Sequence, residues 1–178
     1  MIEELKCNPK TVSWYFNGHK KEVQIESAFL AIESEEQELI YITCGKNFIT
    51  EEVYFLDFDG KMELKYNLNT GEIKWDLPEC KGSYNVQNLN QVLYAKEDKC
   101  MIIMSNNSKV QGLGFDSKIL FTCHIPYGYT PVYLTDGGGK QIVVCDGDEK
   151  HTDAYGRFSF NFYIDTTTGQ LTKGTLAY

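Results

Sequence analysis

Apolar residues in this chain fall in short runs rich in β-branched and aromatic side chains, not at helical spacing. Val12–Phe16, Ala28–Ile32, Leu39–Thr43, Val53–Phe58, Met62–Tyr66, Glu72–Trp75, Gln91–Tyr94, Met101–Met104, Lys118–Cys123, Val132–Leu134, Gln141–Cys145 and Phe158–Ile164 each read as a strand. Clusters of Gly, Asn, Asp and Ser separate them at hairpin-like intervals, where such residues supply positive φ or bond their own backbone. The pattern predicts an all-β fold of about twelve short strands, arranged as an antiparallel sandwich or a partly open barrel. Residues 2–7 are one weak helical candidate. The charged run Glu33–Glu38 is another, read more simply as a solvated hairpin tip. The length of 178 residues suits a single domain spanning 1–178.

Two segments repeat one pattern. Leu64-Lys-Tyr-Asn-Leu-Asn-Thr-Gly71-Glu-Ile-Lys-Trp75 and Phe162-Tyr-Ile-Asp165-Thr-Thr-Thr-Gly169-Gln-Leu-Thr-Lys173 both read as strand, polar turn ending in Gly, strand. An Asn or Asp that accepts backbone hydrogen bonds and a Gly at positive φ reverse the chain onto itself. Upstream strand pairs, with Val110–Phe115 in the middle of the chain, complete three four-stranded sets over 27–77, 90–126 and 130–178. Val12–Phe16 is then left to pair across the seam. The sets resemble β-propeller blades of the PQQ and WD type, in which a turn ending in Thr-Gly precedes a strand bearing Trp, as at Thr70-Gly71 and Trp75. Three propeller-like four-stranded units are therefore the alternative architecture. The second copy carries Lys173 in place of the Trp, and the middle unit lacks the Thr-Gly turn. Propellers close with four or more blades, so three would need a second copy, and a homodimer is one expectation.

Composition narrows the function classes. Apolar residues make up 42% and aromatic residues 13%, enough for a buried core. Seventeen basic against 25 acidic residues leave a net charge of −8, which repels nucleic acid and anionic lipid, and Lys20–Lys21 is the one adjacent basic pair. Neither a nucleic-acid partner nor a membrane is expected. Acidic residues stand where a secretory signal needs basic ones, and no apolar run reaches membrane-spanning length, so the expected location is cytoplasmic. Cys7, Cys44, Cys80, Cys100, Cys123 and Cys145 lack metal-ligand spacing and read as reduced, largely buried thiols.

Catalytic motifs are not found: there is no HExxH, GxSxG or P-loop around His19, His124 and His151. Asp146-Gly-Asp148-Glu-Lys-His151-Thr-Asp153 offers oxygen ligands but lacks EF-hand order, and reads as a hairpin tip. Asp57-Phe-Asp59-Gly60 reads as a turn, and Gly137–Gly139 and Gly112-Leu-Gly114 as loops or bulges. No catalytic residue, metal or cofactor is therefore expected. Tyr127-Gly-Tyr129-Thr-Pro131 concentrates aromatic side chains in one connection, which makes Tyr127 and Tyr129 candidates for stacking on a sugar or other small ligand.

The charge instead favours a basic protein partner. In size, acidity and missing chemistry the chain is similar to the small stand-alone immunity proteins that neutralise bacterial nuclease toxins. That likeness implies a non-enzymatic inhibitor. Its acidic face would draw on Glu33, Glu35, Glu36, Glu38, Glu51, Glu52, Asp57, Asp146, Asp148, Glu149 and Asp153.

Overall fold

The computed structural model describes residues 1–177 and shows seventeen strands in four antiparallel sheets, with one 3-10 turn at Glu149–His151. Strands β1 (Glu3–Asn8), β2 (Thr11–Phe16) and β3 (His19–Gln24) form the first sheet. A six-stranded meander follows: β4 (Ala28–Ser34), β5 (Leu39–Cys44), β6 (Glu52–Asp57), β7 (Met62–Asn67), β8 (Glu72–Asp76) and β9 (Lys81–Asn85). The third sheet holds β10 (Leu89–Ala95), β11 (Cys100–Ser105), β12 (Lys109–Gly114) and β13 (Ile119–Cys123). The fourth holds β14 (Tyr129–Asp136), β15 (Gln141–Gly147), β16 (Ser159–Ile164) and β17 (Leu171–Leu176). Within each sheet, neighbours in sequence are neighbours in space. The all-β class is as expected, and of the two architectures the propeller-like units match these sheets. The chain divides into two compact units, residues 1–87 and the part from Asn88 onward.

Three expectations need correction. Residues 2–7 lie largely in strand β1, not in a helix. Val12–Phe16 pairs with its own neighbours β1 and β3, so it is not left to bridge a seam. Strand number exceeds twelve chiefly because β1, β3 and β9 are polar strands at sheet edges, where little apolar area is buried to mark them.

In the first unit, Val12 and Trp14 of β2 pack with Ala28, Ile40, Ile42, Leu56 and Phe58 in one core. The Trp14 indole N–H donates to the Phe58 carbonyl at 2.8 Å, so the buried ring leaves no donor unpaired. In the second unit the third and fourth sheets share a core. Ile102, Met104 and Phe121 meet Val143, Cys145 and Phe162. A side-chain amide stitches these sheets together: Gln91 Nε2 donates to the Leu134 carbonyl at 2.8 Å, while the Leu134 N–H donates to Gln91 Oε1 at 2.7 Å. Cys44, Cys100, Cys123 and Cys145 are buried free thiols. Burial raises Cys123 to about 11 and the other three to about 12, and such thiols pack as small hydrophobes.

Repetition extends below the strand level. Ser27 (φ +60°), Asn88 (φ +56°) and Gly128 (φ +83°) precede the first strands of three sheets in left-handed conformations. Each carbonyl accepts from the N–H of the residue just beyond the second strand of its sheet: Gly45 at 2.9 Å, Asn106 at 2.9 Å and Asp148 at 2.8 Å, respectively. This bond ties the entry of each of these three sheets to its second connection. The 45–51 loop and the Asp148–His151 cluster lie at that end.

Candidate functional site

The most organised polar cluster of the second unit grows from this tie. Asp148 is held by Gly128, and its carboxylate accepts from the Lys150 backbone at 3.0 Å and meets His151 Nδ1 at 2.6 Å. The histidine bond is the main reason the Asp148 carboxyl lies below its ordinary range. Two glycines make room for the imidazole. A Cβ at Gly128 would stand 2.3 Å from His151 Cε1, and one at Gly147 would stand 2.7 Å from His151 Cβ.

Beneath the imidazole, at 4.5 Å between ring centroids, lies Tyr129. Phe162 and Phe160 meet the tyrosine edge-on at 5.0 and 6.0 Å. Lys173 on β17 donates from Nζ to the Tyr129 hydroxyl at 2.6 Å and stands 3.7 Å over the Phe160 ring. The Tyr129 ring is thus occupied by its own neighbours. Tyr127, by contrast, is 92% exposed.

Of the other acids in this loop, Asp153 organises a turn, Asp146 bonds across a strand pair and Glu149 faces solvent. Asp153 accepts from the Tyr155 and Arg157 backbones at 2.8 and 2.9 Å and pairs with the Arg157 guanidinium at 2.7 Å. The backbone bond from Arg157 is the largest cause of its lowered pKa, followed by the guanidinium. Asp146 accepts from the Ser159 hydroxyl at 2.5 Å. Glu149 is exposed in the 3-10 turn. Among the described residues no group of three His, Cys, Asp or Glu is placed to hold a metal ion.

In the first unit, strand register sorts the acids. Ser34, Leu39 and Asp57 are successive partners, so the Glu33–Glu38 tip and Asp57 share one end of the sheet. Cys44 pairs with Glu52, which puts Glu51 and Glu52 at the other end, about 17 Å away by strand rise. Several acids are already engaged. Glu33 accepts from the Ile2 N–H at 2.8 Å, Glu52 from Asn67 and Tyr54 at 2.8 and 2.9 Å, and Asp57 from the Lys61 N–H at 2.8 Å. Glu35, Glu36 and Glu38 are exposed.

Sequence reading did not single out the 45–51 loop beside Glu51. Asn47 (φ +53°) and Phe48 (φ +61°) sit consecutively in the left-handed region, strained for a bulky side chain. Backbone bonds from Gly45 to Ser27, Ile49 to Lys46 and Glu51 to Cys44, at 2.9, 2.9 and 2.8 Å, hold the loop in shape. Gly45 is required there, because a Cβ would stand 1.9 Å from the Ile49 carbonyl oxygen. The loop presents Phe48 at 82% exposure and Ile49 at 68%. Only the isolated apolar pair between Asn47 and Thr50 hints at this in the sequence.

Charge also divides unevenly. Residues 1–87 carry nine basic and sixteen acidic side chains, a net −7, while the remainder carries eight and nine, a net −1. The overall acidity therefore belongs almost wholly to the first unit. Among the described residues no helix is long and apolar enough to cross a membrane.

Comparisons with known proteins bear on the fold. No family model matches the chain, and no curated protein matches it. Solved structures do match it. Hsv2 from Kluyvelomyces marxianus is 12% identical with a TM-score of 0.50, over 96% of this chain and 62% of that one. The computationally designed Ika8 protein is 13% identical with a TM-score of 0.50, over 99% of this chain and 62% of that one. BamB from Moraxella catarrhalis is 13% identical with a TM-score of 0.45, over 97% of this chain and 47% of that one. The chain thus spans less than two thirds of each of these chains. Hsv2 and the designed Ika8 are β-propeller-like proteins, and the chain shares with them a fold of propeller-like antiparallel units.

Proposed function

We propose that this chain is a non-enzymatic binding protein whose first unit covers a basic surface on a protein partner. The observation that carries this reading is the concentration of charge, net −7 against −1, in the unit that also presents Phe48 and Ile49 on a strained, hydrogen-bonded loop. Charge raises the rate of encounter, while buried aromatic anchors slow dissociation. Glu35, Glu36 and Glu38 serve the first role, with Asp57 and Glu51 adding to the field. Phe48 and Ile49 serve the second. An interface of ordinary size, about 800 Å² per partner, is wide enough to cover both ends of the sheet. The acids of the Asp146–Asp153 loop, except Glu149, are already engaged by neighbouring residues and contribute less. A compact basic nuclease toxin is a partner of the fitting type, in which case the chain is its immunity protein.

The test is a pull-down from the source cells followed by association kinetics of the captured basic protein. Between about 50 and about 500 mM salt the association rate should fall at least about tenfold, and Glu35→Gln/Glu36→Gln/Glu38→Gln should remove most of that dependence. Phe48→Ala should instead speed dissociation by about thirtyfold, the size of an ordinary hot spot. An association rate indifferent to salt, or equal in the neutralised variant, would sink the proposal.

A further inference from the structure

In the second unit, the β10–β11 tip, the β14–β15 turn and the β16–β17 hairpin enclose an open groove of about 480 Å³. Gln141 lines it and is only 6% exposed, and its Oε1 is buried without a hydrogen-bond partner among the described residues. A buried acceptor left unpaired is costly, so the groove has a standing use for a donor. Tyr163 lies against Gly174, where a Cβ would come within 2.5 Å of the ring, and Lys140 Nζ stands 5.3 Å over the ring centroid. An aromatic surface is therefore approached by one flexible side chain. Asp98 and Asp165 bring two carboxylates, and Asp165 Oδ1 already accepts from the Thr167 and Thr168 N–H groups. Thr172 adds an exposed hydroxyl.

The mixture of donors and acceptors selects the ligand chemistry. A phosphate would face two carboxylates, and an ammonium would face Lys140. An apolar ligand would leave the polar walls unpaired. A hydroxyl both donates and accepts, so it can donate to Asp98, Asp165 or Gln141 while accepting from Lys140. Several hydroxyls on a ring whose C–H face can lie on an aromatic side chain describe a pyranose. The geometry points to a saccharide-binding groove in the second unit, taking a neutral sugar through Tyr163, Gln141, Asp98, Asp165, Lys140 and Thr172. It is independent of the basic-partner reading, which rests on the other unit.

The experiment is NMR titration of the full chain with glucose, galactose, mannose and N-acetylglucosamine, using inorganic phosphate, putrescine and glycine as counter-probes. At least one sugar should bind in about the millimolar range expected of a single ring in an open groove, and should shift the Gln141 side-chain amide. Asp98→Asn and Thr172→Val, both at exposed positions, should each weaken binding by about fivefold, the effect of one lost hydrogen bond. Tyr163→Leu should abolish binding. The two exposed variants keep the test valid if the tyrosine variant fails to fold. No sugar response at the Gln141 amide, tighter binding of a counter-probe, or binding unchanged in both Asp98→Asn and Thr172→Val would overturn the proposal.

Discussion

The hairpins β7–β8 and β16–β17 are wired alike and used differently. In the first, Leu64 pairs with Trp75 and Tyr66 with Ile73; in the second, Phe162 pairs with Lys173 and Ile164 with Leu171. Asn67 Oδ1 accepts from the N–H groups of Asn69 and Thr70, as Asp165 Oδ1 does from Thr167 and Thr168. Gly71 and Gly169 close the turns at φ +74° and +75°, donating to the Asn67 and Asp165 carbonyls. The divergence begins at one register position. Trp75 is buried against Gly82 of β9, where a Cβ would stand 2.4 Å from the indole. Lys173 stays exposed, its ammonium resting on Phe160 and bonded to Tyr129. The turn determines the register, while the residue opposite Leu64 or Phe162 determines whether the strand carries core or surface chemistry.

The largest effect is expected at that position. Trp75→Ala should cost about 3–5 kcal/mol, as large-to-small changes of buried aromatics do. Lys173→Met keeps the aliphatic stem and loses the cation, so it should cost about 1 kcal/mol or less. Urea unfolding measures both, and equal losses would show that the two positions do the same work.

An intermediate effect separates the turns themselves. Alanine at either glycine must adopt a left-handed conformation, at about 1–2 kcal/mol. Beyond that, a Cβ at Gly71 would stand 2.0 Å from the Val86 carbonyl oxygen, whereas one at Gly169 would meet the Phe121 ring at 2.8 Å. Backbone yields less than a side chain, so Gly71→Ala should lower the melting temperature more than Gly169→Ala. The opposite ranking would mean that Phe121 is the more rigid neighbour.

These hairpins were legible because Asn, Asp, Thr and Gly carry out their turn roles locally, within a few residues. A second pair was equally local: Leu56-Asp-Phe-Asp-Gly-Lys61 and Leu113-Gly-Phe-Asp-Ser-Lys118 close β6–β7 and β12–β13 with the same two backbone bonds. Ser117 at φ +64° substitutes for Gly60 at +92°, which hides the likeness from a search for glycine. Strands β1, β3 and β9 left little trace, because an edge strand with polar side chains is held by pairing that its own residues do not announce. The candidate sites were the least legible. Tyr129 and Asp148 stood out singly, but Lys173 reaches Tyr129 across 44 positions of sequence, from β17 to β14 over the strands that pair between them. The exposure of Phe48 depends on two consecutive left-handed residues, of which only Asn47 is of a type that favours that conformation.

The smallest effect tests whether the Lys173 surface and its Tyr129–His151 neighbourhood are a connected cluster or only adjacent groups. Asp148 has its folded pKa lowered below the ordinary 3.8, first by the bond to His151. A carboxylate lowered on folding adds stability that is complete above its unfolded pKa and is lost as pH falls through the folded value. Its contribution should therefore be constant near neutrality, erode once the pH drops below about 5, and vanish below the folded value. Asp148→Asn should flatten this part of the acid limb in urea unfolding, while the limb owed to Asp153 and Asp165, both also lowered, persists. His151→Gln should do nearly the same, since it removes the first cause of the shift. If it leaves the Asp148 titration unmoved by NMR, the imidazole only lies against the loop, and the backbone bonds from Lys150 and His151 hold the carboxylate by themselves.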